Sequence, residues 1–264
     1  MPIRRACRAL SLSPSSYYYR PHPRDDSPVI AALNVLAEAH PREGFWLYYK
    51  RLRRDGMPWN HKRLHRVYCR LNLNLPRRGK KRLPPRVRTA LEVPAGPEHV
   101  WSIDFMHDAL YYGRTFRTFN VVDDFAREGL AIEVDTSIGA ERVIRVLENL
   151  AAWRGLPRAI RCDNGPEFLA QRFVAWCAEH AIEIRYIQPG KPNQNAFIER
   201  YNRTFRHTVL DLYLFSDLDE VREAAHRFLI DYNERRPHDS LGDLPPVVYR
   251  RQHEVQCSTS EVCG

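Results

Sequence analysis

Three acidic residues of this 264-residue chain stand where a carboxylate can do chemistry. Asp104 lies inside the apolar run Trp-Ser-Ile-Asp-Phe-Met. Asp163 closes Arg-Cys-Asp and is followed by Asn-Gly-Pro-Glu-Phe, and Glu199 sits in Phe-Ile-Glu-Arg-Tyr-Asn-Arg. Fifty-eight residues separate the first two and thirty-five the second pair. Brought to one point, three carboxylates repel one another, and divalent cations are the usual remedy. Mg²⁺ takes oxygen ligands at ~2.0–2.1 Å and keeps several waters. Two such ions ~3.5–4 Å apart can activate an attacking oxygen and neutralise a leaving one in an in-line phosphoryl displacement. No G-x-x-x-x-G-K-[ST] loop, HExxH or Ser/His/Asp nucleophile motif competes for this role.

Each acid also has an ordinary explanation. Asp104 could be a satisfied strand carboxylate, Asp163 a turn former and Glu199 a surface residue paired with Arg203. Asp123 and Asp124 rival Asp163 as the second carboxylate, but the spacing and the Asn164-Gly165 turn favour Asp163. His107 and Asp108 lie close enough to Asp104 to touch DNA or a metal-bound water, though a turn role suits them better.

The elements that must position these acids are legible as periodicities. Val100–Leu110, Phe116–Phe125 and Leu130–Val134 read as three strands separated by Tyr-Tyr-Gly-Arg and Ala-Arg-Glu-Gly, which makes antiparallel hairpins. In the first, Trp101, Ile103 and Phe105 alternate with Ser102, Asp104 and Met106, so the carboxylate faces away from the large apolar groups. A helix over Ala140–Arg154 stops at Gly155 and Pro157. A short strand Arg158–Cys162 follows, then a helix Glu167–Ala181 and a strand Ile182–Ile187. Beyond the Pro/Asn loop, a helix from Ala196 to Phe215 carries the apolar stripe Ile198, Tyr201, Phe205, Val209, Leu212. Glu199, Asn202, Arg203 and Arg206 form a neighbouring polar face. A helix docked by its stripe could bring Glu199 to the two aspartates while pointing Asn202, Arg203 and Arg206 at a polyanion. A last helix runs from about Ser216 to before Pro237. Three strands followed by alternating helices and strands predict an α/β fold, a ribonuclease-H-like mixed sheet flanked by helices.

The front of the chain is built differently. Residues 1–90 carry 21 Lys and Arg against 5 Asp and Glu, whereas the rest carries 20 against 27, for a net charge of +9. A basic front on a mildly acidic body is the footprint of a polyanion-binding unit, or else a solvated basic surface. Three helical patterns follow an irregular or short helical lead. Val29–Ala39 starts from Ser27 with Pro28 at its first position, Gly44–Asp55 ends at Gly56-Met57-Pro58, and Asn60 caps the third. They predict a small all-α helix-turn-helix-like domain, with a basic helical bundle as the plainer reading. Its candidate DNA contacts are Arg51, Arg53, Arg54, Lys62, Arg63 and Arg66. Tyr17, Tyr18 and Tyr19 can stack on bases or pack on the bundle. The six cysteines are scattered without a CxxC pair, and His61, His65 and Cys69 lack a fourth zinc ligand. No signal-peptide core or run of ~18 apolar residues occurs, so the expected compartment is the cytoplasm.

The motifs WSIDFMHD, RCDNGPEF and QNAFIERYNRTFR resemble the DDE signature of OrfB-type transposases of bacterial insertion sequences, whose core is similar to retroviral integrase. FRTFNVVDDFARE (116–128) and YNERRPHDSLGDLPPVVY (232–249) extend the resemblance to roughly residues 28–250. Ala126 stands where many relatives carry Ser, and no zinc-binding HHCC module of the retroviral kind precedes the core. The resemblance implies that Asp104, Asp163 and Glu199 are catalytic and hold metal: two Mg²⁺, for which Mn²⁺ can substitute. It implies Arg206 in the basic position of the signature, with Lys191, Asn202 and Arg203 also holding or steering phosphates. The organisation expected is a basic lead (1–27), a helix-turn-helix-like domain (28–75), a basic Pro-rich linker (76–97), an integrase catalytic core (98–250) and a tail (251–264).

The activity so implied is 3′-end cleavage and strand transfer on double-stranded DNA, by a multimer acting near the nucleoid. Such proteins often work fused to an upstream-frame OrfA partner. This chain begins where the downstream frame would, so dependence on that partner is the expectation. Two alternatives stay open: a hydrolytic nuclease on the same fold, and a DNA-binding protein without turnover.

Overall fold

A computed structural model describes residues 2–20, 25–76, 93–188 and 192–261. The alternation of apolar and polar residues from Val100 onward produces strand β1 (Val100–Ala109), which pairs antiparallel with β2 (Thr115–Asp123). In turn β2 pairs antiparallel with β3 (Gly129–Asp135), with a bulge between Val121 and Val122. On its other side β1 runs parallel to β4 (Ala159–Cys162), and β4 runs parallel to β5 (Glu183–Tyr186), giving the order β3-β2-β1-β4-β5. His107 and Asp108 continue β1 rather than forming a turn, because the ladder with Arg117 and Phe116 extends through Ala109.

Both faces are covered, as the parallel joints demand. Against one face pack α6 (Ala140–Arg154) and the helices that follow β4, burying Trp101, Ile103 and Phe119 with Leu147, Phe168 and Phe173. The other face carries Met106, Val122 and Val134 against the helices that follow β5. Between β4 and β5 the single expected helix divides into α7 (Pro166–Leu169) and α8 (Gln171–Glu179) at an extended Ala170. Phe168 plugs the core there, and its carbonyl, released from the helix, accepts from the Tyr186 hydroxyl at 2.9 Å.

Helix α9 (Ala196–Phe205) continues through one π-helical turn and stops at Leu210, short of the expected Phe215. Phe215 is instead buried from a loop whose carbonyl accepts from the Tyr111 amide. Asp217 caps α10 (Leu218–Ile230), accepting from the amides of Asp219 and Glu220. A further helix, α11 (Pro246–Glu261), occupies the stretch expected to be a tail. Its Arg250 grips the buried Glu128, and Tyr249 and His253 pack on Phe125.

At the front, α1 (Ile3–Ala9) and α2 (Pro14–Tyr18) precede a bundle of α3 (Ser27–Ala39), α4 (Phe45–Arg54) and α5 (His61–Arg70). Val29, Leu33, Tyr48, Leu52, Leu64 and Val67 give it a core of its own. Asn60 caps α5 by accepting from the Lys62 amide at 2.8 Å. No helix among the described residues is long and apolar enough to cross a membrane.

Candidate active site

The strand ladder places Asp104 opposite Asn120, on the face covered by α9. One carboxylate oxygen accepts from the Phe105 amide at 2.8 Å, and the other accepts from the Asn202 side chain at 2.8 Å. Asn202 in turn accepts from the Asn120 amide group at 2.7 Å. A three-residue polar chain therefore ties β2, α9 and β1 together at the acid. Burial pushes the Asp104 carboxyl up to about 6. The negative charges of Asp163 and Glu199 push the same way, while the Phe105 and Asn202 hydrogen bonds oppose it. Asp104 thus senses both other acids.

Asp163 reaches the same face by register. Ser102 and Arg161 are neighbours on parallel strands, and two residues further on come Asp104, still within β1, and Asp163, just past the end of β4. The Asp163 carboxylate accepts from the Gly165 amide at 3.0 Å, closing the turn that starts α7. Arg117, stacked over the Phe105 ring and bonded to Glu167, braces that turn. Glu199 lies half-buried in the first turn of α9, docked by the fully buried Ile198, Tyr201 and Phe205. Three residues before Asn202, it shares the helix face that bonds Asp104.

The rival acids do different work. Asp123 accepts from the amides of Glu98 and Ala126, and Asp124 pairs with Arg161 at 2.5 Å and Ser102 at 2.6 Å, both wholly buried beside Trp101 and Ser102. His40, Glu43 and Asp231 place possible ligand atoms within 4.8 Å of one another, but Arg51 and Arg236 already bond those carboxylates.

Among the expected phosphate contacts, Arg203 is exposed on α9, and Arg206 bonds Asp108 and the His107 carbonyl, tying α9 to the end of β1. Arg53, Arg54 and Lys62 are exposed. Arg63 and Arg66 hold Asp26, with more than half of the Arg66 side chain open to solvent. Lys191 lies outside the described residues. Two residues move to other roles. Asn202 is buried in its bonds to Asp104 and Asn120. Arg51, 5% exposed, spends its guanidinium on Glu43 and Asp231, a partner 180 residues away that local spacing could not reveal. Asn120 and Arg117 were missed, although a lone Asn inside the apolar strand Thr-Phe-Asn-Val-Val is a visible signal.

Two family models, both described as integrase core domain, match residues 94–192 and 180–246. The 31.7 kDa protein of insertion element IS407 from Burkholderia multivorans is 39% identical over 96% of this chain and 91% of its own length. The chain belongs to the insertion-sequence transposases. The transposase of insertion element IS629 from Shigella sonnei is 25% identical over 98% of the chain and 94% of its own length. The simian T-cell lymphotropic virus intasome, solved in complex with PP2A regulatory subunit B56 gamma, has a chain that aligns with a TM-score of 0.50 and 17% identity. It covers 83% of this transposase and 74% of that chain, a likeness of fold. The transposase is thus an integrase-type polynucleotidyl transferase on a ribonuclease-H-like sheet.

Proposed function

We propose that Asp104, Asp163 and Glu199 are the catalytic carboxylates of this transposase and that they hold divalent metal for 3′-end cleavage and strand transfer. The observation that carries this reading is a contrast in charge. In this arginine-rich chain four of the five buried acids among the described residues, Asp26, Glu43, Asp124 and Glu128, pair with arginine. The fifth, Asp123, accepts from two backbone amides outside the acid cluster. Asp104, Asp163 and Glu199 form no ion pair among the described residues, and Asp104 feels the other two. Three uncompensated hard-oxygen donors suit Mg²⁺ or Mn²⁺, with two ions the expected number.

When bound, such ions polarise the phosphate and stabilise charge on the entering and leaving oxygens. The chain's residues do the rest. Asn202 fixes the rotation of the Asp104 carboxylate and leaves the unshared lone pairs for ligation. Gly165 does the same for Asp163 through its backbone amide. Arg203 and Arg206, with Lys191, steer the phosphates of double-stranded DNA. Water first frees a 3′-hydroxyl at an element end, and that hydroxyl then attacks a second phosphodiester. One phosphodiester is exchanged for another, so no energy source is needed. The reaction is assigned to a multimer at the bacterial nucleoid, assisted by an upstream-frame partner.

The test is incubation of the chain and its upstream-frame partner with a plasmid carrying paired element ends, in Mg²⁺ or Mn²⁺. Joined products are expected, and Asp163→Asn should lower them by roughly a thousandfold, the loss of several kcal/mol of charge stabilisation. Cutting without joining would leave a hydrolytic nuclease, and metal-independent binding without cutting would leave a DNA-binding protein.

A further inference from the structure

The helical bundle is clasped to the catalytic core by charges that alternate in sign across the joint. From the bundle, Arg51 bonds Asp231 of the core at 2.9 and 2.7 Å while also holding Glu43 at 2.8 Å. Glu43 accepts from Arg236 of the core, and Lys50 donates to Asp239 and, at 2.6 Å, to Asp243. Glu43 is 3% exposed, so the network is sealed at its centre and open at Lys50. Buried ion pairs add little stability over apolar packing but strongly penalise mismatched register. Here each unit offers both signs, so sliding the bundle along the core brings like charges together.

The core side of the clasp is continuous with the active site. Asp231 begins the π-helical turn that ends α10. Tyr232, next in that turn, meets Tyr201 edge-on at 4.8 Å between centroids, and Tyr201 lies on α9 between Glu199 and Asn202. We infer that the Glu43–Arg51–Asp231–Arg236 clasp, with Lys50 and its two aspartates, sets the distance from DNA held by the bundle to the phosphodiester attacked, and so determines where the strand is cut. These are positioning residues, and the inference rests on the proposed roles of the bundle in holding DNA and of the three acids in cutting it.

The experiment maps cut positions at single-nucleotide resolution on a duplex carrying an element end, using the full chain. The wild type should cut one phosphodiester. Arg51→Glu should spread cutting over several neighbouring phosphodiesters, and Lys50→Glu, at the open edge where folding is not at risk, should spread it less. The exchange Arg51→Glu with Asp231→Arg should restore the single cut. Small-angle scattering gives a reading independent of cleavage: the radius of gyration should rise by several ångströms in Arg51→Glu and return in the exchange variant. An unchanged cut site in both single variants, an even loss of cutting without spreading, or an unchanged radius would each overturn the clasp. A wild type that cuts nowhere even with the upstream-frame partner present would instead overturn the proposed activity, while the scattering comparison would still judge the clasp.

Discussion

A carboxyl that burial and two neighbouring acids hold at about 6, against 3.8 in the free state, binds its proton more tightly in the fold than in the unfolded chain. Between those values the folded state carries more protons, so this group makes stability fall as pH rises, and the full penalty stands above about 6. The rise from 3.8 to about 6 corresponds to ~3 kcal/mol, an upper figure because Asp104 is not fully buried. In metal-free buffer, Asp104→Asn should therefore stabilise the protein by about 1–3 kcal/mol at pH 8 and by less at pH 5, and the same variant should be inactive when Mg²⁺ is supplied. Asp123 and Asp124, raised by burial to about 7 and about 6, act in the same direction, so the comparison with wild type is what isolates Asp104. Thermal melts at the two pH values decide it, and a variant destabilised at pH 8 would contradict the electrostatics. Binding of Mn²⁺ at the proposed site, where the cation competes with the proton on Asp104, should tighten as pH rises through about 6 and level off above, read from the metal dependence of the melting temperature. Asn202→Ala should remove the donor to Asp104 and strand the Asn120 amide, costing ~1–3 kcal/mol of stability. Its kcat should fall while DNA affinity holds. Arg203→Ala should do the reverse, reducing the salt slope of binding by about 1.

Helix α9 reaches Asp104 only because β3 opens with a residue lacking a side chain. A Cβ at Gly129 would stand 2.6 Å from the Tyr201 ring and 2.9 Å from Leu229. Gly129→Ala should therefore push α9 from the sheet, costing ~1–3 kcal/mol in urea unfolding and lowering cleavage as Glu199 and Asn202 shift. Unchanged stability and activity would show that α9 is not seated through Tyr201. The central strands were legible as runs of apolar and aromatic residues bounded by turn residues, and α6 from its single apolar face, its bounds matching that pattern and the Gly155 stop. The convergence of Asp104 with Asp163 was legible from motif spacing, but its cause, the parallel register of β1 with β4, belongs to tertiary structure. The Ala170 break, the end of α9 at Leu210 and helix α11 were not legible. Each is settled by a distant partner: Tyr186 for the freed carbonyl, Tyr111 for the loop after α9, and Phe125 with Glu128 for α11. Arg51 failed for the same reason, since an arginine on a basic helix looks like a phosphate contact until Asp231 is beside it.

Across the whole molecule, the proposed roles give the basic front the task of holding DNA and the acidic remainder that of holding cations. Replacing both Arg53 and Lys62, exposed on the bundle, with Ala should lower the slope of log affinity against log salt by about 2 without changing a metal-dependent melting shift. Loss of that shift in the double variant would mean that the bundle takes part in binding the ion. The account as a whole depends on three sequence-distant acids forming one cation site, and crystals soaked in Mn²⁺ near pH 7.5, measured at the manganese absorption edge, test this most directly. Anomalous density is predicted among Asp104, Asp163 and Glu199, and it should vanish in Asp163→Asn. Density absent there, or present only at His40, Glu43 and Asp231, would contradict it.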